Sequence, residues 1–582
     1  MKLVFDIETD DLKYTKIWCI VAIDENKKLY TFGPDKIEEG IELLSKATTL
    51  IGHNIIGFDL PAIKDLYDVD LMENKKIIDT LVLSRLFNPT KEGGHSLESW
   101  GEKLGTKKIS FDEFERYSEE MLTYCIQDVK LNVMVYKKLK EVMPNFSVQS
   151  IELEHCIAKI IKEQEKNGFK FDSLNADLLL AQLRERMQHI EEEVKRVFKP
   201  RWIDVKEVFP KLKKDGTLSK SGLTKDEFSN VLDKFKDEQM PDNYSFMRKK
   251  LEEFNLGSRK QIGEYLIQFG WKPKKFTPTG QPIVDELTLF QIDEIPEAKL
   301  IAEYLLVQKR IAQIQSWVDA LEDDGRVHGF VIPNGTITGR MTHRNPNMAQ
   351  VPSIHSPYGK ECRACWVVEK NYRLIGIDAS QLELRLLAHY MNNKEYIHDV
   401  TEGDIHATNQ RLAGLESRDQ AKTFIYAFIY GAGDAKIGSV VGGSTKDGER
   451  LRRNFLNNIP SLANLRSKVQ GASKRGWLKG LDGRRLFIRT QHGALNTLLQ
   501  GAGAIFMKQA LVLLDKWAKC QGFDYKFVAN IHDEWQVEIK EDQAELFGEM
   551  AVKSMVESGK LLNIRCPMTG EYKIGGDWSA TH

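Results

Sequence analysis

The chain has 582 residues, with 83 Lys and Arg against 84 Asp and Glu, a formal net charge of −1. That length is too great for one hydrophobic core and predicts roughly three or four domains; the charge balance means that any nucleic-acid affinity must come from local basic surfaces. Seven scattered cysteines make no disulfide framework, no run of about 18 apolar residues occurs, and Asp6, Glu8, Asp10 and Asp11 exclude a signal peptide, so a soluble, cytoplasmic protein with no membrane partner is expected.

Residues 1–150 alternate short apolar strands (LVFDIET, TLIGHNI, IIDTLVL) with helical segments, the pattern of an α/β domain. On a strand, Asp6 and Glu8 point to one face and can share a metal, although such acidic pairs are also common on exposed strands. From 151 to 325 the pattern is mostly helical (IEEEVKRVF, AEYLLVQKRIAQIQSWVDAL), interrupted by a Lys-rich stretch near 195–255. After Gly325 come strands (VHGFVI, YRLIGID), a long helical block, and FKFVANIHDEWQVEI, which alternates like a hairpin with its turn at His532, Asp533 and Glu534. Cys362 and Cys365 form a CxxC without a second pair at metal-ligand spacing, which argues against structural zinc.

The segment RDQAKTFIYAFIYGAG sets Arg418, Lys422, Tyr426 and Tyr430 four residues apart, one stripe on a helix that drifts by only about 40° per step. Phe424, Ile425, Phe428 and Ile429 fall on the other side. Two cations followed by two aromatic rings suit a ligand with phosphates at one end and a flat ring system at the other. Asp378 closes the strand YRLIGID, and Asp533 sits at the hairpin turn. Each alone reads as a turn or cap residue. Two carboxylates facing a triphosphate-binding helix can instead hold two Mg²⁺ ions, which activate an attacking oxygen and stabilise a leaving one.

DASQLELRLLAHY, RDQAKTFIYAFIYGAG and HDEWQVE resemble, in order, the three signature motifs of family A (polymerase I-like) DNA polymerases. TGRMTHRNPNMAQVPS and GALNTLLQGAGA also match, in particular the replicative enzymes of short-tailed bacteriophages, and the likeness runs over the whole chain. The resemblance implies an N-terminal ribonuclease H-like 3′-5′ exonuclease domain (1–150, α/β) and then a right-hand polymerase. Its thumb region would be 151–325 with the 195–255 insertion, its palm 326–395 and 485–582, and its fingers 396–484.

The same resemblance implies roles residue by residue. Asp378 and Asp533, with Ala379, ligate two Mg²⁺; Arg418, Lys422 and His406 hold the dNTP triphosphate, and Lys422 protonates the departing pyrophosphate. Tyr426 packs on sugar and base, Tyr430 stacks at the template position, and Glu383 crowds the sugar 2′ position. Arg340, Asn496, Gln500 and His532 touch the minor groove of the primer-template DNA. The acceptors presented there do not depend on sequence, so donors can test pair geometry. Asp6, Glu8, Asp59 and Asp128 would hold two further Mg²⁺ for the exonuclease, with Tyr124 orienting the attacking water and Asp79 as structural support.

With the exonuclease motif starting at residue 6, no 5′-nuclease domain is expected before it. The 195–255 stretch stands where some phage relatives dock a processivity factor, so a thioredoxin-like partner is expected there, and a replisome helicase-primase is a further possible partner in the infected bacterial host. A single-subunit RNA polymerase would lack both Glu383 and the exonuclease acids. A non-catalytic scaffold would have lost carboxylates that are all present. A repair-type polymerase of the same family is the closer rival.

Overall fold

The computed structural model describes residues 1–106 and 108–582. It divides into two compact units, Met1–Ser173 with Trp317–His582, and Leu174–Ser316. The second lies inside the span 151–325 expected for the thumb. The difference at the N-terminal end has a packing cause: Leu153, Ile157, Ile160 and Ile161 of the helix Val148–Asn167 are buried in the large core of the first unit.

Within the first unit, residues at the N terminus form a five-stranded sheet in the order Leu29–Phe32, Ile17–Asp24, Lys2–Thr9, Thr49–Gly52, Lys76–Asp79. The first three strands are antiparallel and the last two run parallel to Lys2–Thr9. Period-two alternation sends Leu3, Phe5 and Ile7 into one core cluster and Val4 into another, which it shares with Cys125 and Val129 of the helix Glu119–Val142. Asp6 and Glu8 take the Val4 face. The stretch IIDTLVL, expected as a strand, is one only to Asp79. There the Asp79 carboxylate accepts from Leu81 and Val82 N–H and starts the helix Thr80–Phe87.

The centre of the unit is a four-stranded antiparallel sheet ordered Tyr525–Ile531, Glu534–Lys540, Tyr372–Ala379, Gly570–Gly575. The helices Ala494–Gln521 and Ala544–Leu561 contribute to the same core. The first of these is long and apolar enough to cross a membrane, and 78% of its apolar window is buried in the fold. The C-terminal segment passes behind the Asp378 strand at Gly376, where a Cβ would lie 2.1 Å from the Thr581 carbonyl oxygen.

A buried ionic group joins the helices Val148–Asn167 and Ala494–Gln521 to the turn before the strand Arg485–Phe487. Lys508 Nζ donates to both oxygens of Glu154 at 2.7 and 2.8 Å, and Arg484 bonds Glu154 and, through Nη2 at 2.7 Å, Asp482. All four side chains are at most 2% exposed. Two acids and two bases balance, which offsets the desolvation of each.

In the second unit, Ile190, Val194, Phe198, Phe254, Tyr265 and Leu266 share a core with the helix Pro296–Val318. The Lys-rich stretch is helical only to Val197 at its start, and beyond that Arg201–Val208 pairs antiparallel with Phe246–Glu252 as a two-stranded ribbon. Between them lies the helix Lys225–Lys234, started by a Thr224–Glu227 capping box.

Candidate active site

Asp378 stands at the end of its strand, paired across the sheet with Glu534 on one side and Glu571 on the other. Asp533 lies in the two-residue turn of the next hairpin, after His532 at φ +58°. Its carbonyl accepts from Ala379 N–H at 3.1 Å, which locks the turn against the strand end. Burial raises the Asp378 carboxyl to about 8, and Asp533, Glu534, Glu571 and Glu383 add to the shift. Burial and then Glu383 raise Asp533 to about 6. Glu534 is different: against the burial that would raise it, His582 Nδ1 at 3.0 Å and Arg363 hold it below its ordinary range.

The helix Arg418–Ile429 begins at a Ser417–Gln420 capping box and buries Ala421, Phe424, Ile425, Phe428 and Ile429. Arg418, Lys422, Tyr426 and Tyr430 are therefore on the outward side. Tyr430 is the C-cap, and Gly431 at φ +77° turns the chain away. The Tyr426 and Tyr430 rings stack with centroids 6.3 Å apart and planes 29° from parallel. At the other end of the stripe, Arg418 Nε donates to Asp404 Oδ2 at 2.8 Å, and Asp404 caps the helix that carries His406. Burial, Arg418 and Lys422 all lower the His406 imidazole pKa, and its Nδ1 has no hydrogen-bond partner among the described residues. Glu383, Asp533 and Asp378 all act, after burial, on the Tyr426 hydroxyl. The aromatic end of the stripe thus faces the carboxylates.

Arg340 Nη2 reaches Glu383 Oε1 at 3.2 Å and shares the wall of a small cavity with His532 and Lys508. Asn496 and Gln500 sit one turn apart on the part-exposed side of the helix Ala494–Gln521, and Asn496 Oδ1 is buried without a partner among the described residues.

The second cluster lies on the N-terminal sheet. Asp59, first residue of its helix, accepts from Ile7 N–H at 3.1 Å beside Asp6 and Glu8. Burial pushes Glu8 up to about 9, with Cys19, Asp128 and Asp59 adding, and burial raises Asp59 to about 7. Asp6 is raised by burial and then by Asp59, Glu8 and Asp128. Tyr124 and Asp128 are one turn apart on the helix Glu119–Val142, and Lys108 joins them, 2.6 Å from Asp128 Oδ2 and 4.7 Å from the Tyr124 ring centre. Asp79 adds to the rise of Asp59, and its own carboxylate accepts from Asn54, Ile56, Leu81 and Val82 N–H.

Sequence reasoning missed Lys108, Asp404, Glu571 and His582, and it read Glu534 only as part of the turn, where the structure begins the strand Glu534–Lys540 with it. Asp404 was within reach, because an Asp two residues before His406 is an N-cap signal. Lys108 and His582 meet their partners only through the tertiary fold.

Both acidic clusters fit divalent cations by their donors: hard carboxylate oxygens are concentrated where burial penalises their ionisation, and each cluster has more negative groups than the adjoining cations neutralise.

The chain matches the DNA polymerase family A model over residues 225–580. It is 34% identical to the DNA-directed DNA polymerase of Enterobacteria phage T3 and 33% identical to that of Escherichia phage T7, in each case over 100% of both chains. The same fold is found in the polymerase domain of Pol1 from M. smegmatis, solved with DNA primer-template and dNTP, at a TM-score of 0.78 and 16% identity over 99% of this chain and 95% of that one. On its signature motifs, on its full-length likeness to the phage enzymes and on this fold, the chain belongs to DNA polymerase family A.

Proposed function

We propose that the protein is a phage replicative DNA polymerase, DNA-directed and using dNTPs, with a 3′-5′ proofreading exonuclease in its N-terminal 150 residues. The observation that carries the polymerase reading is the hydrogen bond from the hydroxyl of Tyr430, the last member of the outward stripe, to Glu383 Oε1 at 3.2 Å; Glu383 in turn acts on Asp378 and Asp533. A carboxylate pair, an aromatic platform and a cationic helix start then lie in the order that a nucleotide requires.

Asp378 and Asp533, with the main chain of Ala379, would hold the polymerase Mg²⁺ ions. When bound, these supply charge stabilisation for the attacking primer oxygen and the leaving phosphate oxygen. Arg418, Lys422 and His406 bind and orient the triphosphate, and Lys422 gives its proton to the departing pyrophosphate oxygen. Tyr426 packs on the sugar and base; Tyr430 occupies the template position until the next base arrives. Glu383, fixed by Arg340 and Tyr430, leaves no room for a 2′-hydroxyl. Arg340, His532, Asn496 and Gln500 donate to minor-groove acceptors common to all correct pairs. The primer-template and dNTP of the M. smegmatis complex support the same ligands here.

The mixed five-stranded sheet and the Asp6, Glu8, Asp59, Asp128 and Tyr124 group support the ribonuclease H-like exonuclease reading, with Mg²⁺ held by the four acids and Tyr124 orienting water. The palm and fingers divide as 326–395 with 485–582, and 396–484; the unit Leu174–Ser316 serves as the thumb. The full-length likeness to the T3 and T7 phage enzymes supports work in an infected bacterial cell; a helicase-primase, and a thioredoxin-like factor on the ribbon, are the partner classes of this reading.

Primer extension with four dNTPs and Mg²⁺, on matched and mismatched primer ends, tests both activities. Template-dependent extension is expected, with removal of the mismatch before extension resumes. No extension overturns the first reading, and an uncorrected mismatch the second.

A further inference from the structure

The N-terminal carboxylate cluster holds a donor that Mg²⁺ chemistry does not use. Cys125 Sγ and one carboxylate oxygen each of Asp6 and Glu8 all lie within 4.8 Å of one another. The thiol is 3.6 Å from the Asp6 carbonyl oxygen and 3.9 Å from Asp6 Oδ2. Its place follows from the helix Glu119–Val142: Cys125 precedes Asp128 by three residues and so shares its face. A second thiol, Cys19, pairs across the sheet with Glu8 and lies in hydrogen-bond reach of Cys125. Both thiols are fully buried.

An independent observation points to a cation. Asp128 is 4% exposed, its Oδ1 has no hydrogen-bond partner among the described residues, and its charge acts on both Asp6 and Glu8. Buried acceptors are rarely left this way. The Lys108 ammonium satisfies only the other oxygen.

Mg²⁺ prefers oxygen donors and keeps its water, whereas Zn²⁺ and Cd²⁺ accept thiolate and carboxylate together in small, tetrahedral sites. We infer that Asp6, Glu8 and Cys125 form a site for a thiophilic divalent cation of the zinc class, to which Cys125 binds as thiolate after releasing its proton to solvent. Such an ion takes the two carboxylates that the exonuclease reading assigns to Mg²⁺, so it competes with Mg²⁺ and halts DNA degradation. Binding itself does not rest on that reading; the inhibition does.

Cadmium binding to the full-length chain tests the site, through the ultraviolet charge-transfer band of cadmium–thiolate bonds. Cys156→Ala and Cys520→Ala form the background, because those two thiols are exposed. The band is expected in this background and lost on adding Cys125→Ala or the shape-preserving Cys125→Ser, with primer extension reporting that each variant is folded. In Mg²⁺-supported degradation of single-stranded DNA, the zinc concentration that halves the rate should rise by about tenfold in the same variants. A band unchanged by both substitutions overturns the site, and unchanged zinc sensitivity overturns the competition. A Cys125-dependent band in a protein that degrades no DNA upholds the site and overturns the exonuclease reading.

Discussion

The Tyr430 hydroxyl donates to Glu383 Oε1 at 3.2 Å, and Arg340 Nη2 reaches the same oxygen from the other side at 3.2 Å. One carboxylate oxygen thus joins the end of the aromatic stripe to the cation proposed for the minor groove. Glu383 is 9% exposed, so its position is set by these two donors more than by water.

Removing the carboxylate should open the proposed sugar gate. Glu383→Ala is expected to raise the efficiency of ribonucleotide relative to deoxynucleotide incorporation. Tyr430→Phe should raise it less, because one donor remains. A lost hydrogen bond to a charged group is worth about 1.5–3 kcal/mol, so the relaxed Tyr430→Phe site should discriminate roughly tenfold less well. The ratio of kcat/KM for the two nucleotides measures this, and an unchanged ratio in Glu383→Ala removes the residue from that role.

If Asp378 and Asp533 hold the Mg²⁺ as proposed, the polymerase site should depend on pH. Their carboxyls are raised to about 8 and about 6 by burial and by neighbouring carboxylates, Asp533 first for Asp378 and Glu383 first for Asp533, so Mg²⁺ must displace a proton below those values. Half-saturating Mg²⁺ for extension should therefore rise as pH falls from 8 to 6, by up to about tenfold per unit. The stability of the metal-free protein carries the opposite sign. A carboxyl whose folded pKa exceeds its unfolded value binds more protons when folded, so stability falls as pH rises toward 8. Asp378→Asn should stabilise the metal-free protein at pH 8 by roughly 1–3 kcal/mol, seen in denaturant unfolding, while extension drops by orders of magnitude.

The parts legible in the sequence are those whose signal is local. The stripe from Arg418 to Tyr430 needed only helical spacing, and the Asp533 turn only alternation on either side. The ribbon Arg201–Val208 was hidden, because a two-stranded ribbon with neither face in the core has no hydrophobic alternation to read, and its lysines resemble a solvated helix. Asp79 ended a strand that its apolar neighbours seemed to extend; its capping role outweighs the β propensity of Val82 and its neighbours. Lys108 gains its meaning from Asp128, twenty residues away and one helix later, which no local pattern encodes.

The group of Glu154, Asp482, Arg484 and Lys508 should behave as a unit. Glu154→Ala leaves two buried cations facing one carboxylate, and breaking a buried pair in this way costs about 3–5 kcal/mol. Urea unfolding followed by tryptophan fluorescence should show that loss. A smaller effect in Glu154→Ala with Lys508→Met than in Glu154→Ala alone would confirm that the unpaired cation is the cause.

Asp6→Ala with Glu8→Ala should abolish degradation of single-stranded DNA and leave extension on a matched primer near the parent rate. The two acids sit on the N-terminal sheet, and Asp378 and Asp533 belong to the central one. Equal loss of both activities in a variant with parental thermal stability would count against separate sites.

The Lys-rich segment is expected to act in retention on DNA rather than in chemistry. The core of its unit draws on Phe198 before the ribbon and Phe254 after it, with ring centroids 4.9 Å apart, and on none of the described residues between 201 and 252. The two ends of the segment are thus already joined, and a short Gly/Ser linker in place of 202–251 closes a gap that needs little chain. One ribbon face presents Trp202, Met247 and Leu251 to solvent together with Lys249, an apolar and cationic surface that the unit itself leaves uncovered. If that surface follows the duplex or a partner that does, each neutralised phosphate releases counterions and its contribution fades as salt rises. The linker variant should then make shorter products per binding event at low salt and converge on the parent at high salt, with single-nucleotide incorporation by bound enzyme unchanged. Equal product lengths across the salt series, with and without added thioredoxin, would assign the segment neither task.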